Sequence, residues 1–507
     1  MTRQAVAIDL GTTGLKVAIV ALTGEVAWSG SRQLTTELGP GGAATQDANE
    51  WWRLIAELVR EGASHADDIV AVACTGQWAS TVPVDASGAP VGDCVMWMDT
   101  RGGRHSRKVI AGPVVGLNPR AALTWVRKTG GAPSATGSDP IGHMLHLQHD
   151  QPAVHAAARW YLEPVDYVSM RFTGAAAASH ASMTAAWLTD NRRLDVLDYD
   201  DALVRRAGVD RSKLAPLYPS GAVIGEVRAD VARDLGFPGG VQVVTGVPDL
   251  HSAGAGTGAV TDFATHLAIS TTGWISCPVP FKKTSVSNQI ASIPGLTRGG
   301  YVIVDNHETA GRCLHWLRDT VFPDRSYDEL GALAAAAPPG SGGVVFTPWL
   351  AGERSPVDDR HARAGFHNLS LTTTPADLVR AVLEGVAYNS RWLHDAVERF
   401  AKRRLDPIRI FGGGAVSDLW CQIHADVMDR TIERVVDPLN CNARGAALIA
   451  GVALGDVRSS ELASRVGIER TFTPDPAHRA VYDRLFAELP FLYKVQKPMF
   501  ARLNRHH

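Results

Sequence analysis

Long apolar runs are missing from this chain, and so is any imbalance of charge. No apolar stretch reaches the ~20 residues of a membrane-spanning helix, so no membrane partner is expected. Lysine and arginine total 50 against 52 acidic residues, which leaves no basic field for nucleic acid. Only six cysteines occur, at 74, 94, 277, 313, 421 and 441. None forms a CxxC pair, so neither a zinc site nor a disulfide framework is suggested. Reduced thiols in a cytoplasmic setting are the expectation. Met1-Thr2-Arg3-Gln4 runs into a strand without the apolar core of a secretory leader. There is no GxxxxGKS/T, which excludes a P-loop kinase. His143, His146 and His149 are read as part of an exposed helix, not a metal cluster. His307-Glu308 has no second histidine four residues on, so it is no zincin motif. Gly254, Gly256 and Gly258 follow Asp249 without an acidic residue on a second strand, which speaks against a dinucleotide turn.

What is present is a chain of 507 residues, 45% of them apolar, enough for two domains with real cores. The apolar run Ala5-Val6-Ala7-Ile8 ends in Asp9-Leu10-Gly11-Thr12-Thr13-Gly14-Leu15-Lys16, and a second run, Val17 to Val20, follows. That pattern predicts a hairpin whose tight turn carries small hydroxyl residues. Such a turn offers hydroxyls and N–H groups to phosphate oxygens, and Asp9 is placed to hold the hydration shell of Mg²⁺. Taken alone, the same residues fit a polar hairpin turn equally well. The pattern recurs, however: residues 267 to 274 read Leu-Ala-Ile-Ser-Thr-Thr-Gly-Trp. Two such hairpins half a chain apart suggest a duplicated domain with one nucleotide held between the halves. A third piece is the strand Ile408 to Phe411, followed by Gly412-Gly413-Gly414 and the Ser417-Asp418 cap of a helix. Its glycines permit close backbone approach by a flat or anionic ligand, or serve the turn alone.

These pieces, in this order, resemble the FGGY family of carbohydrate kinases over nearly the whole chain. Residues 244–259 look like the family's catalytic aspartate segment, with Asp249 at the catalytic position. Pro348 to Phe366 looks like its GERxP…RG stretch, Arg380 to Ala387 like its long central helix, and Gly445-Ala446-Ala447 like the helix closing the ATP site. Within the family the xylulokinase-type branch looks nearest, and Val481 to Lys494 fits it. The resemblance implies an α/β, two-domain, actin-like ATPase fold of ribonuclease-H-like halves, with ATP and sugar in the interdomain cleft. Residues 1–252 would carry the sugar and the first phosphate turn, and 253–507 the second turn and the adenosine site. The boundary is expected around 250–262.

The chemistry implied is ATP-dependent phosphorylation of a hydroxyl on a ketopentose, xylulose-like, or on a related sugar or polyol. Ribulose, erythritol and glycerol stand behind it. A non-catalytic actin-fold sensor of ATP or sugar is the alternative of another class, and a homodimer is left open. Asp249 would orient the hydroxyl and take its proton, and would share Mg²⁺ with Asp9. Gly11, Thr12, Thr13, Thr271, Thr272 and Gly273 would grip the phosphates, with Lys16 lending charge. Gly413, Gly414 and Gly445 would line adenine and ribose. Gln77, Trp78, Trp97, Asp99 and Arg101 are the candidates near the sugar, beside Asp249. Two departures stand out. Ser270 occupies a usual glycine position in the second turn. Gly76-Gln77-Trp78-Ala79-Ser80 replaces Gly-Gln-Met-His-Gly in the sugar loop, and Met98 replaces an asparagine.

The rest of the chain is read more coarsely. Residues 36–48 and 129–140 are read as loops, and 336–343 as a turn-rich connector. Asn49 to Val59 is a helix behind an asparagine cap. Ile69 to Cys74 is a buried strand, and Leu378 to Val397 is a long helix whose apolar stripe is core.

Overall fold

Two mixed β-sheets, each built on a hairpin with a Thr-Thr turn, organise the chain. The computed structural model describes residues 1–111, 118–286, 289–296 and 299–504. The first sheet contains β1 (Arg3–Leu10), β2 (Gly14–Ala21), β3 (Val26–Gln33), β4 (Asp68–Gly76), β5 (Val223–Glu226), β6 (Gln242–Val244) and β7 (Val247–Pro248). Their order is β5-β6-β4-β1-β2-β3, with β7 also on β4. The second sheet contains β8 (Thr265–Ile269), β9 (Gly273–Val279), β10 (Thr284–Ser285), β11 (Ile290–Pro294), β12 (Tyr301–His307), β13 (Ile408–Phe411), β14 (Ile432–Val435) and β15 (Ile468–Phe472). Their order is β10-β11-β12-β9-β8-β13-β14-β15.

The same plan recurs in both. An antiparallel triplet, β1-β2-β3 or β8-β9-β12, carries a parallel strand, β4 or β13, against its first member. This is the duplication that the two Thr-Thr-Gly hairpins predict. β1 and β4 are almost wholly buried, so they read as continuous apolar runs rather than alternating ones.

The helices that matter for the site are α1 (Ala48–Gly62), α2 (Pro140–Asp150), α3 (Pro164–Thr173), α4 (Asp249–Thr257), α5 (Pro375–Ala401), α6 (Asp418–Met428), α7 (Cys441–Ala453) and α8 (Arg479–Leu503). Local signals set several boundaries. Thr374 and Asp377 form a capping box ahead of α5, with Pro375 at the first turn. Ser417 accepts from Trp420 N at 3.2 Å and starts α6. α1 begins earlier than the sequence suggests: Asp47, not Asn49, is the cap, accepting from Asn49 N at 2.8 Å.

Three cores form. One lies around the first sheet, one around the second, and a third lies between them. The third is rich in alanine: Ala5, Ala7, Ala18, Ala71 and Ala73 meet Ala253, Ala255, Ala443, Ala446 and Ala447. Helix α7 lies between β14 and β15 of the second sheet in sequence, yet packs on β1, β2 and β4 of the first sheet and crosses α4. The crossing is very close. A Cβ on Gly256 would lie 1.9 Å from the Cys441 carbonyl oxygen, and one on Gly445 would lie 1.8 Å from that of Ser252.

Two expectations are corrected here. The 36–48 segment is not simply a loop. Glu37–Gly39 and Ala43–Gln46 pair as short antiparallel strands, and Ala44 and Gln46 are buried. Helix α2 is not exposed. His143 and His146 are buried, and only His149 of the three faces solvent. His143 lies within hydrogen-bond reach of Thr81, its Nδ1 3.3 Å from the hydroxyl. Burial holds its pKa down near 4, so it is neutral at physiological pH.

Candidate active site

The registers of three parallel strands build the site. Asp9 of β1 lies beside Thr75 of β4, and Thr75 lies beside Val247 of β7. One residue on, Leu10, Gly76 and Pro248 form the next row. The chain then leaves all three strands together. β1 opens into the Gly11–Thr13 turn, β4 into the 77–80 loop, and β7 into Asp249 at the start of α4. Ligands of open α/β sheets bind at such carboxyl ends. Gly76 makes the convergence feasible. It has φ +153°, and a Cβ there would meet the Leu10 carbonyl oxygen at 2.2 Å. The Thr75 and Ser252 hydroxyls, 2.7 Å apart, tie β4 to α4 behind the row.

Asp9 and Asp249 are both partly exposed at these strand ends. Asp249 Oδ1 accepts from Leu250 N at 2.8 Å. Burial first, and then the neighbouring Asp9 carboxylate, push the Asp249 pKa up to about 7. Burial also raises Asp9, against the pull of Lys16 and a hydrogen bond from Asn442. Lys16 Nζ donates to the Leu439 carbonyl and so bridges from β2 to the segment before α7. Asn442 was not legible as a site residue. Its Oδ1 is buried with no hydrogen-bond partner. Two carboxylates and an orphan amide oxygen make an all-oxygen donor set, which suits a hard divalent cation such as Mg²⁺.

Both turns expected to hold phosphate are formed. Gly11 N donates to Gly14 O at 2.9 Å, and Ser270 N donates to Thr272 O at 3.0 Å. Thr13 and Thr271 are exposed at the tips; Thr12 and Thr272 are half-buried. Ser270 takes its glycine-like position without a positive φ, and its hydroxyl donates to Thr272 O at 3.2 Å. Gly273 is buried in the pairing of β9 with β12. Beside this turn, Gly412 has φ +95°, and a Cβ there would strike the Ile269 carbonyl oxygen at 2.6 Å. Gly414 is packed against Ile269 and Trp420, but Gly413 is exposed with open space above it. Val416 and Leu439, both more than half exposed, stand near it, where Gly412 N donates to Pro438 O at 3.0 Å. An open glycine between exposed apolar side chains suits a flat base. No sequence signal marked Val416 or Leu439, because an exposed valine or leucine is ordinary. Gly445 departs from its expected place on the nucleotide wall. It is buried in the α4–α7 crossing, where its missing side chain lets the helices approach.

The expected sugar residues divide into two groups. Trp97 lies beside the first turn: its Nε1 donates to Thr12 Oγ1 at 3.1 Å, and its ring carries the Arg354 guanidinium at 4.9 Å. Trp78 packs with Leu250, the residue after Asp249, and its Nε1 donates to Ser182 O at 2.7 Å. Gln77 is buried, with its N bound to Leu10 O at 2.7 Å and its Oε1 unpartnered. Asp99 and Arg101 are not brought into this group. Asp99 is fully buried and spends its oxygens on Ala44 N, Arg101 N and the Arg101 guanidinium. Burial works to raise its pKa, but the hydrogen bonds from Arg101 and the backbone outweigh it and hold the carboxylate ionised. Arg101 lines a separate surface cleft of about 320 Å³ with Glu37, Asp93 and Gln151.

Sequence reasoning also missed the support under the 77–80 loop. Ser80 N donates to Glu163 Oε2 at 3.2 Å, and Ser80 Oγ accepts from Trp97 N at 3.0 Å. Glu163 and its neighbour Asp166 are buried, and burial pushes both carboxyls well above the usual range, Glu163 with help from Asp166. Glu163-Pro164 at the head of a helix could have been noted as a cap, but its contact with residue 80 is tertiary.

Two family models of carbohydrate kinases match the chain. The FGGY N-terminal domain matches residues 4–256, and the FGGY C-terminal domain matches residues 265–454. The chain belongs to the FGGY family of carbohydrate kinases. A xylulose kinase of Staphylococcus epidermidis is 27% identical over 510 residues, covering 98% of this chain and 97% of the relative. A gluconokinase of Bacillus subtilis is 23% identical, covering 100% and 96%. The crystal structure of a xylulose kinase from Rhodospirillum rubrum superposes with a TM-score of 0.83 at 27% identity, covering 98% of this chain and all of that one. This FGGY protein is an ATP-dependent sugar kinase of two-domain α/β fold. Among the described residues no helix is long and apolar enough to cross a membrane.

Proposed function

We propose that this kinase phosphorylates a linear ketopentose or a closely related polyol, with xylulose as the first candidate. The observation that carries the proposal is the Asp249 carboxyl, two residues beyond the row of strand ends that carries Asp9 and one beyond the Leu10–Gly76–Pro248 row that leads into the Gly11–Thr13 turn. A sugar hydroxyl is a poor nucleophile at neutral pH. Asp249 would accept a hydrogen bond from it and take its proton as the bond to phosphorus forms. A group poised near neutrality suits that task. Thr12 and Thr13 from one lobe, and Thr271 and Thr272 from the other, would hold the phosphate oxygens through hydroxyls and backbone amides. Gly413, Val416 and Leu439 would receive the base. Asp9, Asp249 and Asn442 would hold Mg²⁺, which supplies charge neutralisation at the phosphates. Trp97, Trp78 and Gln77 would face the sugar, with the Gln77 Oε1 acceptor left over for a hydroxyl. The working division is residues 1–252 for sugar and first turn, and 253–507 for second turn and adenosine.

The preference for a short, unbranched substrate is supported by Trp78. It fills space with an apolar ring, and its N–H is already engaged with Ser182. A loop that lacks an imidazole donor has little means to reject a sugar missing the matching hydroxyl. A coupled ADP-release screen tests the reading. Ketopentoses, ketohexoses, tetritols, glycerol and aldonates are run with and without Mg²⁺. Metal-dependent turnover highest on a ketopentose or a tetritol is expected. Turnover only on an aldonate or a ketohexose would overturn it.

A further inference from the structure

The two Thr-Thr turns stand on different sheets, yet one path of direct contacts joins them. It starts at the first turn, where Trp97 Nε1 donates to Thr12 Oγ1 at 3.1 Å. The guanidinium of Arg354, from the second lobe, lies over the Trp97 ring, 4.9 Å from its centre. Arg354 Nε donates to Glu308 Oε1. The residues just after Glu308 then run against the second turn. Ala310 N donates to Thr271 O at 3.1 Å, and Gly311 N donates to Ser270 O at 2.7 Å. Three side chains and one short length of backbone therefore link Thr12 to Thr271.

The second-lobe end of this path is built to hold its place. Glu353 is buried, and its Oε1 accepts from Glu308 N at 3.1 Å and from Arg354 N at 2.9 Å. Its Oε2 accepts from Asn389 Nδ2 of α5 at 2.6 Å. One carboxylate thus fixes the backbone under both members of the Glu308–Arg354 ion pair. Glu308 takes the guanidinium at its Nε edge, which leaves the flat face to the indole. A lysine has no such plane and cannot serve both partners in the same way. The lobes also meet at Lys282, which donates to the Arg127 carbonyl at 3.0 Å, and at Tyr301, which donates to that of Asn191 at 2.9 Å. Tyr301 pairs with Val279, at the opposite end of the β9–β12 pairing from Gly273 and the second turn.

We propose that Arg354 is a positioning residue for phosphoryl transfer: stacked on Trp97 and aimed by Glu308, it sets the spacing between the Thr12 and Thr271 turns. The inference rests on the reading that both turns grip one triphosphate. Each turn keeps its own hydroxyls and amides when Arg354 is lost, so nucleotide still binds. What is lost is the alignment of phosphorus with the attacking hydroxyl, and small misplacements of reacting groups are costly in kcat.

A double-mutant cycle between Arg354→Gln and Trp97→Leu tests it, read by steady-state kinetics on whichever sugar the wild type turns over fastest. Arg354→Gln lowers kcat by about two- to thirty-fold, the range of a cation–π contact between exposed and desolvated settings. Tm and the ranking of sugars stay as in wild type, and the KM for ATP moves by less than about twofold. Arg354→Lys restores part of the lost kcat. In the Trp97→Leu background Arg354→Gln costs little more, because the ring it acts on is gone. A merely structural arginine would instead lower Tm and add its full loss to that of Trp97→Leu. A wild-type kcat in Arg354→Gln, additive losses in the cycle, or a loss confined to the KM for ATP would each overturn the proposal. Thr271→Val keeps the two failures apart. If it raises the KM for ATP while Arg354→Gln leaves kcat unchanged, the two-turn reading stands and the Arg354 role falls. If it leaves the KM for ATP unchanged, the two-turn reading falls and takes the Arg354 role with it.

Discussion

Gly445→Ala separates two uses of one glycine. A Cβ at this position would lie 1.8 Å from the Ser252 carbonyl oxygen, 2.6 Å from its carbon and 2.9 Å from Gly256 N. All three atoms are backbone, so no side chain can swing aside. To reach the 3.4 Å of ordinary contact, α4 and α7 must part by roughly 1.6 Å. Overpacking of this kind typically costs about 1–3 kcal/mol. For a lobe of some 250 residues each kcal/mol lowers Tm by about 2–4 °C. The displaced helix begins at Asp249 and carries Ser252, whose hydroxyl meets Thr75. Activity should therefore fall through kcat, since a small misplacement of a catalytic group is costly. The control is Gly413→Ala, where a Cβ meets nothing within 4 Å and φ is not positive. That variant should keep its Tm and raise the KM for ATP. Differential scanning fluorimetry and steady-state kinetics on both variants decide the matter. An unchanged Tm with a raised ATP KM in Gly445→Ala would refute the packing role and return this glycine to the nucleotide wall.

Other outcomes follow from the site. With Asp249 held near 7, kcat/KM for the sugar should fall about tenfold per pH unit below that value, because protonation removes the base; a flat profile down to pH 5 would contradict this. Thr271→Val keeps the shape but loses a hydroxyl, so ATP KM should rise while the ranking of sugars stays the same. Trp97→Phe keeps the ring under Arg354 but removes the hydrogen bond to Thr12, worth about 0.5–1.5 kcal/mol, so kcat/KM should drop up to about tenfold. Trp78→Met with Ala79→His should move preference toward xylulose. Ala79 has φ +64°, a region that histidine tolerates better than most residues, so the loop can accept the change.

The hairpins and their turns were legible because their signals are local: an apolar run, then Gly and Thr at fixed offsets. The cap of α6 and the length of α5 were legible for the same reason. What the sequence hid depends on tertiary approach. Gly445 looks like a ligand glycine because closeness to another helix and closeness to a nucleotide both demand a missing side chain. Asp99 and Arg101 look like sugar contacts because they follow Trp97 so closely, yet the chain turns between them and Asp99 is spent as a buried counter-ion. His143 and His146 have the spacing of an exposed face, but α2 is packed into the lobe by residues far off in sequence. Glu163 is invisible because its partner, the Ser80 amide, is 83 positions away.

The central claim is that Asp249 is the base that moves the sugar hydroxyl's proton. Asp249→Asn keeps the size of the side chain and the acceptor for Leu250 N, but removes the basic oxygen. The deciding measurement is sugar-dependent ADP release by this variant at saturating ATP and sugar, beside binding of a non-hydrolysable ATP analogue. The account predicts a kcat lower by about two to four orders of magnitude with nucleotide affinity and Tm preserved. A variant that keeps more than about a tenth of the wild-type kcat would contradict it.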